Sequence, residues 1–592
     1  MLEPDSRSLL SELLRPPSGF TLSHAVGTTF TLTLEAALAV PLSLAGSGAS
    51  GDDAPGILSA VRRATDRIDL FAQTGYIGLG TASELVTVLE PMIHPVSMPA
   101  GRLFHPKVWF LEFASGDERR YRFVCSSRNL TTDRTWDAVV ALDGHPGEAA
   151  DEANDDMVRM LRWLASGGRT TPQLPGARRA RLLRFAESWR SIRWEQPEHV
   201  RRFAVHVLGI GGDAPPVLDG IRSLIVSPFV TDSGLARLRA RPGRPTTLVS
   251  RPEQLDRLAP ASFDHLSMYV LDDFVDQALA DAGTETETAQ ATGLVGLHAK
   301  IVVHDRAMGG STVFLGSANA TEPAWGSNVE VMVQLDGPTK QLGVDAITQS
   351  LAPLLDEYET EGGATASEDE AAERDLDSAL RTIATVRLTL RVHPGEPYAA
   401  SLWAADPVPV VPDGLSLSWR LLTGTDARNG TFPTAADPHL FESLALAEIT
   451  PFVVVSLTDS GGRLRQSVVI AEIMDDVPGR QDAIVAAHLT QPGAFARFIR
   501  LMLQQSGPTG IADASSFSSF RSPFGGGVSE DGSGLLELLV RATATNAGAL
   551  ADIERVLSHL SADERSAALP AGFSEVWASV VAALDGEASR AG

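Results

Sequence analysis

Two short stretches of the chain carry nearly the same set of reactive side chains. The first holds His105 and Lys107, then Ser127 and Asn129, then Asp137. The second holds His298 and Lys300, then Ser317 and Asn319, then Glu330. The second set follows the first by roughly 190 positions throughout, which predicts two copies of one domain, each supplying half of a site. Of the 49 Lys plus Arg, only Lys107, Lys300 and Lys340 are lysines. A chain that otherwise uses the planar fork of arginine keeps the compact ammonium at both motifs, where a point charge on a flexible stem is wanted.

Residues two apart on a strand share a face, so each His and its Lys are expected to point into one space. Ser127 with Asn129 and Ser317 with Asn319 have the same spacing and are expected to line that space. Two such halves together suit a phosphodiester. Two ammonium groups and two amides can hold the non-bridging oxygens and stabilise five-coordinate phosphorus. One neutral histidine can attack phosphorus and form a phosphohistidine. The other can protonate the departing oxygen and then activate water. Asp137 and Glu330 can each accept a hydrogen bond from a histidine's far nitrogen and fix its tautomer, with Asp137 expected behind His105. The lysines supply the charge, and no Cys/His cluster has metal-ligand spacing, so no metal or cofactor is expected.

Here the sequence resembles the phospholipase D superfamily. His298-x-Lys300, Asp305, Gly316-Ser317-x-Asn319 and Glu330 match its HKD signature at each motif position. The first copy departs from it, with Glu112 for Asp, Ser126 for Gly and Asp137 for Glu. The resemblance covers residues 20–358 and implies a two-lobed α/β fold in pseudo-twofold arrangement, with one active site at the interface. It also implies His105 as nucleophile and His298 as acid. Asp305 and Glu112 are open to a structural or a catalytic reading.

The elements that must position these groups follow the chain. Strands are expected at 28–34, 69–77, around each His-x-Lys, and at 121–126, 138–142, 223–229, 246–250 and 267–271. Helices are expected at 8–14, 35–45, 56–66, 82–92, 148–165, 233–239, 252–258 and 339–358. This alternation predicts α/β lobes with a largely parallel or mixed sheet. Lobe 1 spans 1–167 and lobe 2 spans 203–358. Residues 168–202 connect them through a dense run of arginines, either a solvated helical face or a phosphate-backbone contact. Ser227, at the end of a lobe 2 strand, is expected to edge the pocket and bind substrate. A polar loop at 281–293 precedes the second motif. An acidic linker is expected at 359–375, a β-sandwich-like module at 376–478, and a helical region at 479–592.

Bulk properties narrow the function. A net charge of −25 disfavours non-specific coating of nucleic acid or anionic membrane, so any polyanion site must be a local basic cleft. The single cysteine, Cys125, excludes an intrachain disulfide, reads as a core residue, and fits a reducing, cytoplasmic setting. No run reaches the ~18 apolar residues of a membrane span. His94, His206 and His304 read as core or surface histidines. With no membrane element, DNA or RNA is the expected substrate, ahead of lipid. A non-catalytic scaffold on the same fold is the alternative outside enzymes. The whole architecture also resembles phospholipase D-like proteins of bacteria, some found beside helicases or in phage-defence loci. That implies a role in DNA repair or phage defence, with a helicase or another defence protein as partner.

Overall fold

A computed structural model describes residues 10–45, 65–80, 84–132, 135–166, 169–211, 216–239, 241, 243–271, 296–478, 480 and 577. The helices expected at 56–66 and beyond 481, and the loop expected at 281–293, lie wholly or mainly outside these residues.

The first half builds one mixed sheet from β1 (Thr21–Thr29), β2 (Ile68–Gln73), β3 (Ile93–Val96), β4 (Val108–Ser115), β5 (Glu118–Ser126), β6 (Val139–Pro146) and β7 (Ile192–Trp194). Its spatial order is β7-β6-β5-β4-β1-β2-β3. β1, β2 and β3 run parallel, and β4 to β7 join as antiparallel neighbours beside β1. The second half adds β8 (Arg202–Leu208), β9 (Arg222–Val226), β10 (Thr246–Val249), β11 (Leu266–Leu271), β12 (Ile301–Asp305), β13 (Ser311–Gly316), β14 (Glu330–Gly337) and β15 (Leu355–Glu357). They lie in the order β8-β14-β13-β12-β9-β10-β11-β15. Apart from the added edge strand β15, this order and its strand directions match the first sheet position for position. β2 is buried along its whole length, as a parallel strand covered on both faces is.

The two sheets share one core. Val108, Phe123 and Cys125 of the first pack in the same cluster as Val329, Val331 and Val333 of the second. Helices α1 (Asp155–Ala165) and α2 (Gly176–Ser188) close it with Met157, Leu161, Leu182 and Phe185.

Several elements fall elsewhere than their sequence suggests. The strand expected at 28–34 lies at Thr21–Thr29, and a helix begins at Leu34. The helix expected at 339–358 breaks into Thr339–Leu342 and Val344–Leu351, and β15 then pairs antiparallel with β11. Half of the expected linker is helix α3 (Glu368–Ile383), whose Ser367 and Glu370 form a reciprocal capping box. Residues 388–474 form two four-stranded sheets. These are not insulated from the first half. Phe452, Val454, Val468 and Ile470 pack in one cluster with Leu32, Leu34, Leu70 and Leu89. Among the described residues, no helix is long and apolar enough to cross a membrane.

Candidate active site

Neither His-x-Lys pair lies within a strand. Each sits in the extended segment just before one, β4 or β12. Asn129 and Asn319 follow the ends of β5 and β13, Glu330 opens β14, and Asp137 lies just before β6. All eight groups thus lie at strand ends, where side chains can converge from several elements while the ladders fix the backbone.

The two halves meet by reciprocal main-chain pairing. Phe104, just before His105, bridges in parallel to Val329, just before Glu330. Leu297, just before His298, pairs in parallel with Trp136, just before Asp137. The amide of His105 donates to the Val329 carbonyl at 2.9 Å, and that of His298 to the Trp136 carbonyl at 2.8 Å. Each histidine therefore follows a residue paired in main chain with the one before the other half's carboxylate. This corrects the expectation that Asp137 backs His105. The His105 Nδ1–H donates to Glu330 Oε2 at 2.9 Å. Asp137 instead lies 3.6 Å from Arg128, with its Oδ1 buried and without a hydrogen-bond partner.

Each lysine folds back onto its own histidine, and Lys300 also ties the halves together. Lys107 Nζ donates to His105 Nε2 and to the His105 carbonyl, both at 3.0 Å. Lys300 Nζ lies 3.4 Å from His298 Nδ1, donates to the His298 carbonyl at 2.7 Å, and reaches the Ser127 carbonyl of the first half at 3.3 Å. Both lysines, with Glu330, are buried. Asn129 Oδ1 accepts from the Thr31 amide at 3.3 Å, whereas Asn319 Oδ1 is buried without a partner.

Burial of so many ionisable groups shifts them all. Desolvation pushes Lys107 down to about 7, and desolvation with the charge of Lys107 holds Lys300 well below the usual lysine range. Desolvation, Lys107 and Lys300 hold His105 well below its ordinary value. Desolvation, then Lys300 and Lys107, lower His298. Both shifts favour the neutral imidazole. Desolvation pushes Glu330 up to about 8 and Asp137 up to about 6. An anion placed among the cations reverses the repulsive part of these shifts and favours protonated Lys and His.

The serines do not face substrate as expected. Ser317 Oγ is completely buried, donates to Glu330 Oε2 and accepts from the Val331 amide at 3.0 Å. Ser127 Oγ is likewise buried and accepts from the Ala138 amide at 2.9 Å. Ser227 Oγ donates to the Phe229 carbonyl and accepts from the Ala320 amide, which braces the turn after Asn319. All three hydroxyls are spent on the backbone or on the carboxylate. Asp305 is a structural group, bonded to Arg222, to Ser311 and to the Val344 amide. Glu112 is likewise tied to Ser23 and Ser188.

Four positioning residues escape the motif. Gln73 Oε1 accepts from the Phe104 amide at 2.7 Å, and Arg251 Nη2 donates to the Leu297 carbonyl at 3.0 Å. Each ends or follows a parallel strand and holds the residue before a histidine. Asn328 Oδ1 accepts from the Leu103 amide at 3.0 Å. Phe30 packs its ring 4.9 Å from that of His105. A polar residue closing an apolar strand is the only sequence signal for Gln73 and Arg251.

Outside the site, His94 shares the buried Asp69 with His24, at 2.9 and 2.8 Å. Arg178 and Arg181 of the basic run also turn inward onto Asp69, at 2.8 and 3.1 Å. His304 bonds Ser223, and His206 bonds Gln334. Among the described residues, no group of three or more His, Cys, Asp or Glu side chains can hold a metal.

No protein-family model and no curated protein matches the sequence. Solved structures do. Polyphosphate kinase from Porphyromonas gingivalis aligns over 63% of this chain and 51% of its own, at 14% identity and a TM-score of 0.33. The chain thus spans about half the length of that kinase. Yeast tyrosyl-DNA phosphodiesterase aligns over 57% of this chain and 87% of its own, at 11% identity and 0.34. Phosphatidylserine synthase from Haemophilus influenzae aligns over 59% and 84%, at 11% identity and 0.31. These neighbours are phospholipase D superfamily members. At such scores the site's own geometry, and not the likeness, carries the functional reading.

Proposed function

We propose that this chain is a phosphodiesterase, with a nucleic acid as substrate, working through a phosphohistidine without a metal ion. The observation that carries this is the reciprocal pairing of the halves. It sets His105 against Glu330, and Lys300 against the first half's Ser127, so both imidazole–ammonium pairs border one buried space. Matching strand orders support a pseudo-twofold relation between the sheets, with that space at the interface.

In this reading a diester's non-bridging oxygens replace imidazole nitrogens as partners of Lys107 and Lys300, helped by the amides of Asn129 and Asn319. The nucleophile is His105 Nε2, because Glu330 holds the proton on Nδ1 and leaves Nε2 its lone pair. A P–N bond forms as the P–O bond to the leaving group breaks. His298, more open than His105 and raised toward protonation by the anion, gives that oxygen its proton. It then takes a proton from water as water attacks phosphorus and the P–N bond breaks. Asp137 tunes the charge around Lys300.

The test is a panel of DNA, RNA, phosphatidylcholine and a small diester, each with and without EDTA. His105→Ala and His298→Ala are each expected to lose roughly 10²–10⁴-fold in kcat, the usual scale for such groups, with wild-type turnover unchanged by EDTA. Cleavage of phosphatidylcholine alone would move the substrate to lipid. Undiminished turnover in both variants would take the two histidines out of the chemistry, and no turnover of any substrate by the wild type would leave a scaffold on this fold. A role in repair or phage defence, beside a helicase, belongs to the same proposal and rests on the architecture.

A further inference from the structure

On the assumption that the diester site is read correctly, the side chains around it name the substrate's form. Next to His105 an aromatic ladder leads outward. Phe30 lies 4.9 Å from the His105 ring, and Tyr76 lies 4.2 Å from Phe30. Arg381, from helix α3, stands 5.8 Å over the Tyr76 ring. Phe30, Tyr76 and Arg381 are all partly exposed. Among the described residues Arg381 has no ion-pair partner, and its Nε is buried without a hydrogen bond. On the other side, Phe229 is 41% exposed, and the Arg251 guanidinium lies 4.9 Å over its ring. Arg251 reaches the Leu297 carbonyl, one residue from His298. The His105 ring thus leads to a partly open tyrosine capped by Arg381, and an arginine-capped, open phenylalanine is tied through Arg251 to the residue before His298.

We propose that these are two base-stacking platforms, and that the substrate is a single-stranded nucleic acid whose scissile phosphate lies between them. Stacking is open only to bases not paired in a duplex, and ring and guanidinium faces grip any base without reading its edge. The charge of the molecule favours the same choice. A duplex gains affinity by matching many phosphates to many cations, and this chain carries −25. The described basic run spends Arg178 and Arg181 on Asp69. A strand held by two stacked bases and one clamped phosphate needs few cations.

The experiment compares a fluorescein-labelled single-stranded oligonucleotide, the same sequence as a duplex, and methyl p-nitrophenyl phosphate. Wild type is set against Tyr76→Ala and Phe229→Ala, with Tyr76→Phe and Phe229→Trp as ring-preserving controls. Anisotropy is expected to show single strand bound more tightly than duplex, with a shallow salt dependence. Each alanine variant should weaken single-strand binding about tenfold, and each ring-preserving variant should restore it. In kinetics, the alanine variants should lower the ratio of kcat/KM for the oligonucleotide to that for the small diester by a similar factor. Duplex bound as tightly as single strand, or alanine variants with unchanged affinity, would overturn the platforms. If wild type turns over no diester, the catalytic reading falls alone, because the binding arm still decides this one.

Discussion

At the scale of single residues, the site crowds Lys107, Lys300, His105 and His298 against two carboxyl groups, Glu330 and Asp137. Lys107 is pushed down to about 7 by burial, and Lys300 is held low by burial and by Lys107. A bound dianion should raise both toward the ordinary lysine value of about 10.4. At Lys107 the complex then holds more protons than the free protein between pH 7 and that value, so this lysine's contribution to affinity is full below pH 7 and is lost as pH rises above it. Inorganic sulfate makes the test, since its own charge is constant across this range. Titration calorimetry should show its affinity falling by about tenfold per pH unit for each proton taken up, with a heat that depends on the buffer. Lys107→Met should remove one proton from that slope, and a flat affinity from pH 7 to 9 would refute the assignment. The residues of this charge cluster were legible because they occur twice at one spacing. Their partnership was not. A repeat tells what each half holds, but the parallel bridges Phe104–Val329 and Leu297–Trp136 decide that Glu330 serves the histidine of the other half.

At the scale of elements, the strand that sets the first motif hides its own signal. β1 contains His24, Ala25 and Gly27, residues that fit poorly with strand propensity, while the alternating, β-branched run beyond it was the more visible candidate. Tertiary contact explains the choice. Gly27 pairs directly with Trp109 of β4, two residues after Lys107. A Cβ at Gly27 would lie 2.6 Å from the indole ring, and Trp109 is 4% exposed, with no open space to retreat into. Gly27→Ala is therefore expected to destabilise the protein by about 1–3 kcal/mol through overpacking. Urea unfolding should report it as a lower midpoint, and combination with Trp109→Leu should return part of the loss. An unchanged midpoint for Gly27→Ala would show that β4 can move away from β1. Helix α3 shows the opposite case. Its Ser367-x-x-Glu370 cap is plain in the sequence, yet the acidic composition around it suggested a linker.

At the scale of the whole molecule, the sequence divides more cleanly than the protein does. A shift in composition near residue 359 separates two kinds of sequence, but composition carries no information on whether two cores touch. Here they do. Phe452, Val454, Val468 and Ile470 pack with Leu32 and Leu34, and Ser467 Oγ donates to the Ile77 carbonyl at 3.3 Å. Arg480 makes a buried ion pair with Glu90 at 2.8 Å. Each large apolar side chain taken from water stabilises by up to about 1.5–3 kcal/mol, part of which the four module residues owe to this contact. Arg381 also reaches the active-site ladder from this part of the chain. A protein ending at residue 366 should therefore fail as an independent unit: its Leu32 and Leu34 face would be uncovered, which favours association. Size-exclusion chromatography should find it aggregated, and the full chain should unfold across both parts in one thermal transition. A monodisperse product with the melting temperature of the full chain would mean that the shared core adds nothing. In that case the position of Arg381 beside Tyr76 would have to be held by α3 alone.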